Sequence, residues 1–383
     1  MTDHPLHRYV SEPVRADLAR KMVFVGGPRQ VGKTTFALRF LGPRADESNP
    51  AYFNWDNKIH RERMLRLDLP ENQRLLVLDE IHKYAGWRNW IKGYYDTHKS
   101  RVSILVTGSA RLDYYRKGGD SLQGRYHYYR LHPLSLREIN PVCGADDLSR
   151  LLRWSGFPEP FLSGNDRAWR RWQREHRERF LKEDLRDLEH VKEVTLIEEL
   201  LTHLPSCVGS PLSVANLSKL TQVAFQTVDR WISILERLYV CFRIPPYGSA
   251  RIRAVRKEQK LYFWDWTQVP GDGPRFENLV ANQLLKYCHW MEDTEGYSME
   301  LRFLRDTDKR EVDFVVLKDG KPAFAVECKT GEKSTSSSAH YFRQRTPIPR
   351  FYQVHRGQRD YGDERAGVRV LPFTTFCREL KLP

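Results

Sequence analysis

"GGPRQVGKTTF", residues 26–36, decides how the first part of the chain is read. Gly27 is followed by four residues and then by Gly32, Lys33 and Thr34, the full G-x-x-x-x-G-K-[ST] spacing. Glycines let backbone N–H groups turn inward around phosphate oxygens. The helix that follows aims the positive end of its dipole at the same anion. Gly27, Pro28, Arg29, Gln30, Val31, Gly32, Lys33, Thr34 and Thr35 are therefore expected to cradle a nucleotide. Lys33 is expected on the β- and γ-phosphates and Thr34 on Mg²⁺. The apolar run "MVFV" before the loop and the helical pattern "KTTFALRFL" within and after it supply the strand, loop and helix that this motif requires.

Outward from the loop, "RLLVLDE" at 74–80 reads as a second apolar strand, ending in Asp79 and Glu80. Acids at the carboxyl end of such a strand lie where ligands bind in parallel α/β sheets. Asp79 is expected in the Mg²⁺ shell, and Glu80 as the group that orients or activates the attacking water. "VSILVTGSA" at 102–110 supplies a third strand end, where Thr107 or Ser109 can sense the γ-phosphate. Strands alternating with helical stretches predict a parallel α/β sheet. Arg125, in "SLQGRY", is read either as a residue stabilising a neighbouring subunit's transition state, which requires an oligomer, or as one half of a surface ion pair.

The 383 residues suffice for two or three domains with their own cores. Formal net charge is +14, an excess that favours polyanionic partners, above all nucleic acid. The six cysteines form no C-x-x-C pair, which argues against a zinc site and suits a reducing cytosol. No apolar run approaches a membrane span and none resembles a signal peptide, so a cytoplasmic protein is expected.

Two regions further along carry chemistry. In "PLSVANLSKLTQVAFQTVDRWISILERLYV", 211–240, Leu217, Leu220, Val228, Ile232, Leu235 and Leu238 fit an inward helical face. Gln226, Thr227 and Arg230 then lie elsewhere on the second helix and suit DNA contact. The basic run "SARIRAVRKEQK", 249–260, offers Arg251, Arg253, Arg256 and Lys257 to phosphates, with RNA left open as the polymer. Packing between protein domains is the competing reading of this region. In "EVDFVVLKDGKPAFAVECKTG", 311–331, a turn at "KDGK" joins two strands and brings Asp313, Glu327 and Lys329 together. Glu327 and Lys329 alternate with Val326 and Cys328, so they share one strand face. Carboxylates with a lysine in this order suit a metal-dependent nuclease centre, and a plain hairpin with a same-face ion pair accounts for part of the same text.

"GPRQVGKTT", "LDEIHK", "TGSARL", "LQGRYHYYRLHPLSLREI" and "SGFPEPF" resemble the AAA+ ATPases common in archaea and bacteria whose C-terminal half carries a poorly characterised domain. The resemblance implies an α/β P-loop AAA+ core at 1–145, a helical lid at 146–205, a winged helix at 206–260 and a PD-(D/E)XK nuclease-like domain at 261–383. It adds Glu277, on the helix before the hairpin, as a further acid of the nuclease-like site, and it places Arg125 as the finger candidate. The expectation is an ATP-hydrolysing, Mg²⁺-dependent homo-oligomer, with a hexameric ring as one form, that binds DNA, forked or branched DNA being one option, and couples hydrolysis to DNA binding or remodelling. An ATP-gated nuclease and a nucleotide-dependent protein switch are the alternatives. Gln344, in "AHYFRQR", is a further candidate for orienting the nuclease-like site.

Overall fold

Four apolar runs and one aromatic run of the first 133 residues become five parallel strands in the computed structural model, which describes residues 6–109, 112, 122–181, 185, 193–248, 258–361 and 367–383. The chain divides into two compact units, Met1–Pro133 and Leu134–Pro383. The division falls inside "HPLSLREI". The second unit is continuous where the sequence suggests three segments.

In the first unit, α1 (Ser11–Leu18) precedes β1 (Met22–Gly26), α2 (Lys33–Leu41), β2 (Tyr52–Asn54), α3 (Lys58–Leu65), β3 (Leu75–Asp79), α4 (Trp87–His98), β4 (Ser103–Thr107) and β5 (Tyr126–Arg130). The sheet order is β2-β3-β4-β1-β5. All of β1 is buried, as a central parallel strand covered on both faces should be. Met22, Phe24, Leu76, Leu78, Ile104 and Val106 share one core with Met64, Trp87, Ile91 and Tyr95 of α3 and α4. The register pairs Asp79 with both Asn54 and Thr107. It therefore brings the carboxyl ends of β2, β3 and β4 to one edge, beside the loop that follows β1.

The second unit opens with α5 (Leu136–Ile139), α6 (Ala145–Trp154), α7 (Pro158–Ser163), α8 (Asp166–Arg179) and α9 (Val194–His203). α10 (Val214–Thr221) and α11 (Phe225–Arg237) lead into the antiparallel ribbon of β6 (Cys241–Ile244) and β7 (Lys260–Phe263). α11 buries Val228, Trp231, Ile232 and Leu235. Leu220, expected inside, is 59% exposed, because the buried face of α10 runs through Leu217 and Thr221 and leaves Leu220 to one side.

α12 (Asp272–Glu295) then packs on a five-stranded sheet. Its strands are β8 (Met299–Arg305), β9 (Glu311–Lys318), β10 (Lys321–Lys329), β11 (Phe351–His355) and β12 (Val368–Pro372). α13 (Ser337–Arg343) joins β10 to β11, and α14 (Phe373–Glu379) closes the chain. β8, β9 and β10 form an antiparallel meander, and β11 and β12 continue the sheet in parallel. The β9–β10 turn is the two-residue loop Asp319–Gly320, both at positive φ (51° and 74°). That conformation matches the strand twist of a tight hairpin.

Candidate functional site

The loop between β1 and α2 is shaped by its glycines. Gly27 has φ +150°, and a Cβ there would lie 2.3 Å from the Leu131 carbonyl oxygen. Gly32 has φ +93° and sits at the N-terminus of α2. Lys33, the first residue of α2, is buried and donates to the Gly27 and Pro28 carbonyls at 3.0 and 2.7 Å. Its ammonium is thereby held within the loop.

Asp79 ties three strands to this loop. Its Oδ2 accepts from the Thr34 hydroxyl at 2.7 Å and from the Tyr52 hydroxyl at 2.9 Å, while Oδ1 accepts from Thr107 at 2.6 Å. A carboxylate only 3% exposed is thus met by three O–H donors. Burial and the adjacent Asp79 charge push the Tyr52 phenol far up, so it stays a donor. Thr107 is placed to orient Asp79, and Ser109 lies buried two residues beyond it. Tyr52 is absent from the sequence motif. Its only signal is its place on the strand beside β3.

Glu80 adopts a left-handed backbone, φ 57°, unusual for a non-glycine residue. Its N–H donates to the Thr107 carbonyl at 2.9 Å. Its carboxylate lies 3.6 Å from both His82 Nε2 and Lys83 Nζ. Arg125 is elsewhere: it makes a two-pronged ion pair with Asp96 at 2.9 and 3.0 Å, at the amino end of β5.

The second unit gathers a different cluster. Glu277 on α12, Glu311 and Asp313 on β9 and Lys260 on β7 meet below the sheet surface. Lys260 is fully buried, with Nζ at 2.6 Å from Glu311, 3.0 Å from Glu277 and 3.4 Å from Asp313. Burial pulls its pKa down, but the charges of Glu277, Asp313 and Glu311 outweigh that and leave it raised. Tyr262 donates to Glu277 at 2.8 Å, and the Cys328 N–H donates to Asp313 at 2.8 Å. Lys329 donates to Glu327 at 2.6 Å. Glu277 is pushed up by burial and then by the Asp313 charge, and Glu327 in the same way.

Glu277, Asp313, Glu327 and Lys329 are therefore neighbours, but the expected open carboxylate face is not there. Lys260 fills it, and sequence reasoning missed both Lys260 and Glu311. Among the described residues no group of three or more His, Cys, Asp or Glu side chains is arranged to hold a metal ion. The residues do not fit a divalent cation at this point, because an ammonium already sits among the oxygens that would have to converge on it. Gln344 is exposed at the end of α13 and takes no part in the cluster.

Of the proposed nucleic-acid contacts, Gln226 and Arg230 are exposed on α11 and Thr227 is half-buried. Arg251, Arg253, Arg256 and Lys257 lie outside the described residues. α8 exposes Arg167, Arg170, Arg171 and Arg174. Behind them is a cavity of about 670 Å³, lined by Phe157, Trp172, Tyr239 and Trp264 among others. Trp172 is buried, and Trp169 donates its indole N–H to Thr267 at 3.1 Å. No helix among the described residues is long and apolar enough to cross a membrane.

The first unit is thus a parallel α/β sheet with a glycine-bearing loop and a helix after its first strand and an acid at the end of its third. Residues 19–140 match the family model described as an AAA domain. Residues 145–267 and 272–376 match two domains of unknown function, DUF8612 and DUF4143. An uncharacterised protein of Mycobacterium tuberculosis is 26% identical over 246 residues, covering 64% of this chain and 54% of the relative. An uncharacterised protein of Methanocaldococcus jannaschii is 22% identical, covering 82% and 77%. The chain thus spans about half the length of its mycobacterial relatives. Among solved structures, the Aeropyrum pernix ORC1 protein in complex with DNA has 16% identity and a TM-score of 0.34, covering 73% of this chain and 94% of that one. The Thermotoga maritima RuvB Holliday junction branch migration motor has 15% identity and a TM-score of 0.30, covering 62% and 87%. Likenesses this distant carry no argument about function.

Proposed function

We propose that the chain is an ATP-hydrolysing, nucleic-acid-binding protein in which the first unit turns over nucleotide and the second supplies the polymer contacts. The observation that carries this reading is the Asp79 network. One buried carboxylate engages the Thr34 hydroxyl of the phosphate loop and the Thr107 hydroxyl of the next strand. Thr34 and Asp79 are an oxygen pair suited to holding Mg²⁺, which would supply positive charge against the negative charge that develops during hydrolysis. Lys33 would leave its loop carbonyls for the β- and γ-phosphates. Glu80, turned by its left-handed backbone, would orient the attacking water.

The net charge of +14 supports a polyanionic partner. The arginine row of α8 and the exposed Gln226 and Arg230 of α11 are the surfaces proposed for it. The helices and ribbon of 194–263 support the winged-helix reading. The order helix, antiparallel meander, helix, parallel strand from α12 to β11 supports the nuclease-like fold. A Mg²⁺-dependent nuclease is not adopted as the function, since Lys260 occupies the carboxylate cluster.

Steady-state hydrolysis with and without single-stranded, duplex and forked DNA tests the reading. Lys33→Ala and Glu80→Gln are each expected to lower ATP turnover by at least about a hundredfold, the scale for removing one electrostatic stabiliser. DNA is expected to raise wild-type turnover, with binding that weakens steeply as salt rises. Turnover indifferent to every DNA form, together with no DNA affinity at low salt, would leave only a nucleotide-dependent protein switch.

A further inference from the structure

We propose that the Lys260 ammonium is a built-in cation standing where a divalent metal would otherwise sit, so that the carboxylate centre of the second unit is metal-independent and does not cut nucleic acid. The inference concerns this centre alone and does not depend on the ATP site.

The first support is position. Lys260 Nζ is within 3.4 Å of one oxygen each from Glu277, Glu311 and Asp313, contributed by two different elements. Mg²⁺ needs oxygens at about 2.0–2.1 Å from one point, in near-octahedral order. An ammonium at that point is incompatible with such a shell, and a second cation within about 4 Å of it would be repelled.

The second support is anchorage. Lys260 is the first residue of β7, paired with Ile244 at the end of the ribbon, and its backbone also bridges to Pro211. Its ammonium lies 5.8 Å from the centre of the Phe303 ring, so an aromatic wall backs it. Withdrawing it would leave buried Asp313 and the partly buried Glu277 and Glu311 without their shared counter-charge. The cost of breaking a buried charge cluster by removing one partner far exceeds that of a surface pair.

The third support is the disposition of the remaining charges. Glu311 uses its other oxygen on Arg305 at 2.7 Å. Glu327 is engaged by Lys329, and its Oε2 is buried without a hydrogen-bond partner among the described residues. Four carboxylates thus face three basic side chains, and the cluster is near neutrality with no divalent ion. Glu327 can carry the remaining proton on that oxygen. The lysine that would orient water in a cutting centre is here an ion-pair partner.

The test uses the full chain without nucleotide, probed with Mn²⁺ by electron paramagnetic resonance and by thermal unfolding. Wild type and Lys260→Arg are expected to fold and to show no Mn²⁺ site that Asp313→Asn removes. Lys260→Met is expected to unfold at lower temperature, to bind Mn²⁺ at least about tenfold more tightly than wild type and to be restabilised by it. Asp313→Asn added to Lys260→Met should abolish that gain. If Lys260→Met does not fold, wild type and Lys260→Arg still decide the matter. Mn²⁺ binding by wild type that Asp313→Asn abolishes would overturn the proposal. So would plasmid cleavage in Mg²⁺ or Mn²⁺ that is lost in Asp313→Asn.

Discussion

Tyr52 and Lys260 show where residue-level reading stops. Lys33, Thr34, Asp79 and Glu80 could be singled out because a short motif and one strand end carry them, and the structure brings Thr34 and Asp79 into a hydrogen bond. Tyr52 acts on Asp79 from 27 residues away, through strand pairing that no motif encodes. Lys260 closes the basic run "SARIRAVRKEQK", and a lysine in such a run reads as solvated. Its partners Glu277 and Asp313 lie 17 and 53 positions further on, so its burial follows from tertiary structure alone. The phenol of Tyr52 is one of three donors on a buried carboxylate, and a hydrogen bond to a charged group is worth about 1.5–3 kcal/mol. Tyr52→Phe is therefore expected to cost about 1–2 kcal/mol in urea unfolding, less than the full value because Thr34 and Thr107 remain. It should also weaken MgATP binding, by loosening the carboxylate next to Thr34. Unchanged stability and nucleotide affinity would show that Thr34 and Thr107 alone fix Asp79.

At the scale of elements, the β9–β10 hairpin was readable because "KDGK" names its turn and alternation names its faces. α10 was read less well: its buried face runs through Leu217 and Thr221, and Leu220 falls to one side of it. The hairpin and α12 together create a pH dependence. Burial, then the Asp313 charge, raise Glu277 from 4.5 to about 7 and Glu327 from 4.5 to about 8. A carboxyl group whose pKa is raised on folding binds its proton more tightly in the native state. Its stabilising contribution is full below the unfolded value and is lost as pH climbs through the folded value. Stability from this pair should thus decline between about pH 4.5 and about pH 8. Glu327→Gln keeps the shape and removes one titration, so its denaturation midpoint should fall less across that window than that of wild type. Parallel declines in the two proteins would mean that Glu327 titrates normally.

For the whole molecule, the first compact unit closes at Pro133, and the second opens on a short helix capped by Ser135 and Glu138. The continuity of the second unit was not legible. It rests on contacts such as Ser155 to Asp265 at 2.8 Å and the Trp266 indole to the Leu151 carbonyl at 2.8 Å, across more than a hundred residues. The same scale decides the role of Arg125. Its carbonyl accepts from Met22 N–H, so it sits at the amino end of β1 and β5, while the phosphate loop leaves the carboxyl end of β1. Five residues of parallel strand separate the two by about 16 Å. Arg125 is thus remote from the β1–α2 loop of its own chain, and any part it takes in the proposed hydrolysis requires a second copy of the chain. If the chain assembles in that way, Arg125→Ala should lower turnover at least about tenfold while ATP affinity stays near wild type. Loss of the solvent-screened Asp96 pair alone should leave stability close to that of wild type. Mixing Arg125→Ala, which retains its phosphate loop, with Lys33→Ala, which retains its arginine, should restore part of the activity through mixed assemblies. Wild-type turnover by Arg125→Ala, or no recovery on mixing when mass measurement shows mixed oligomers, would reduce Arg125 to the surface ion pair it makes with Asp96.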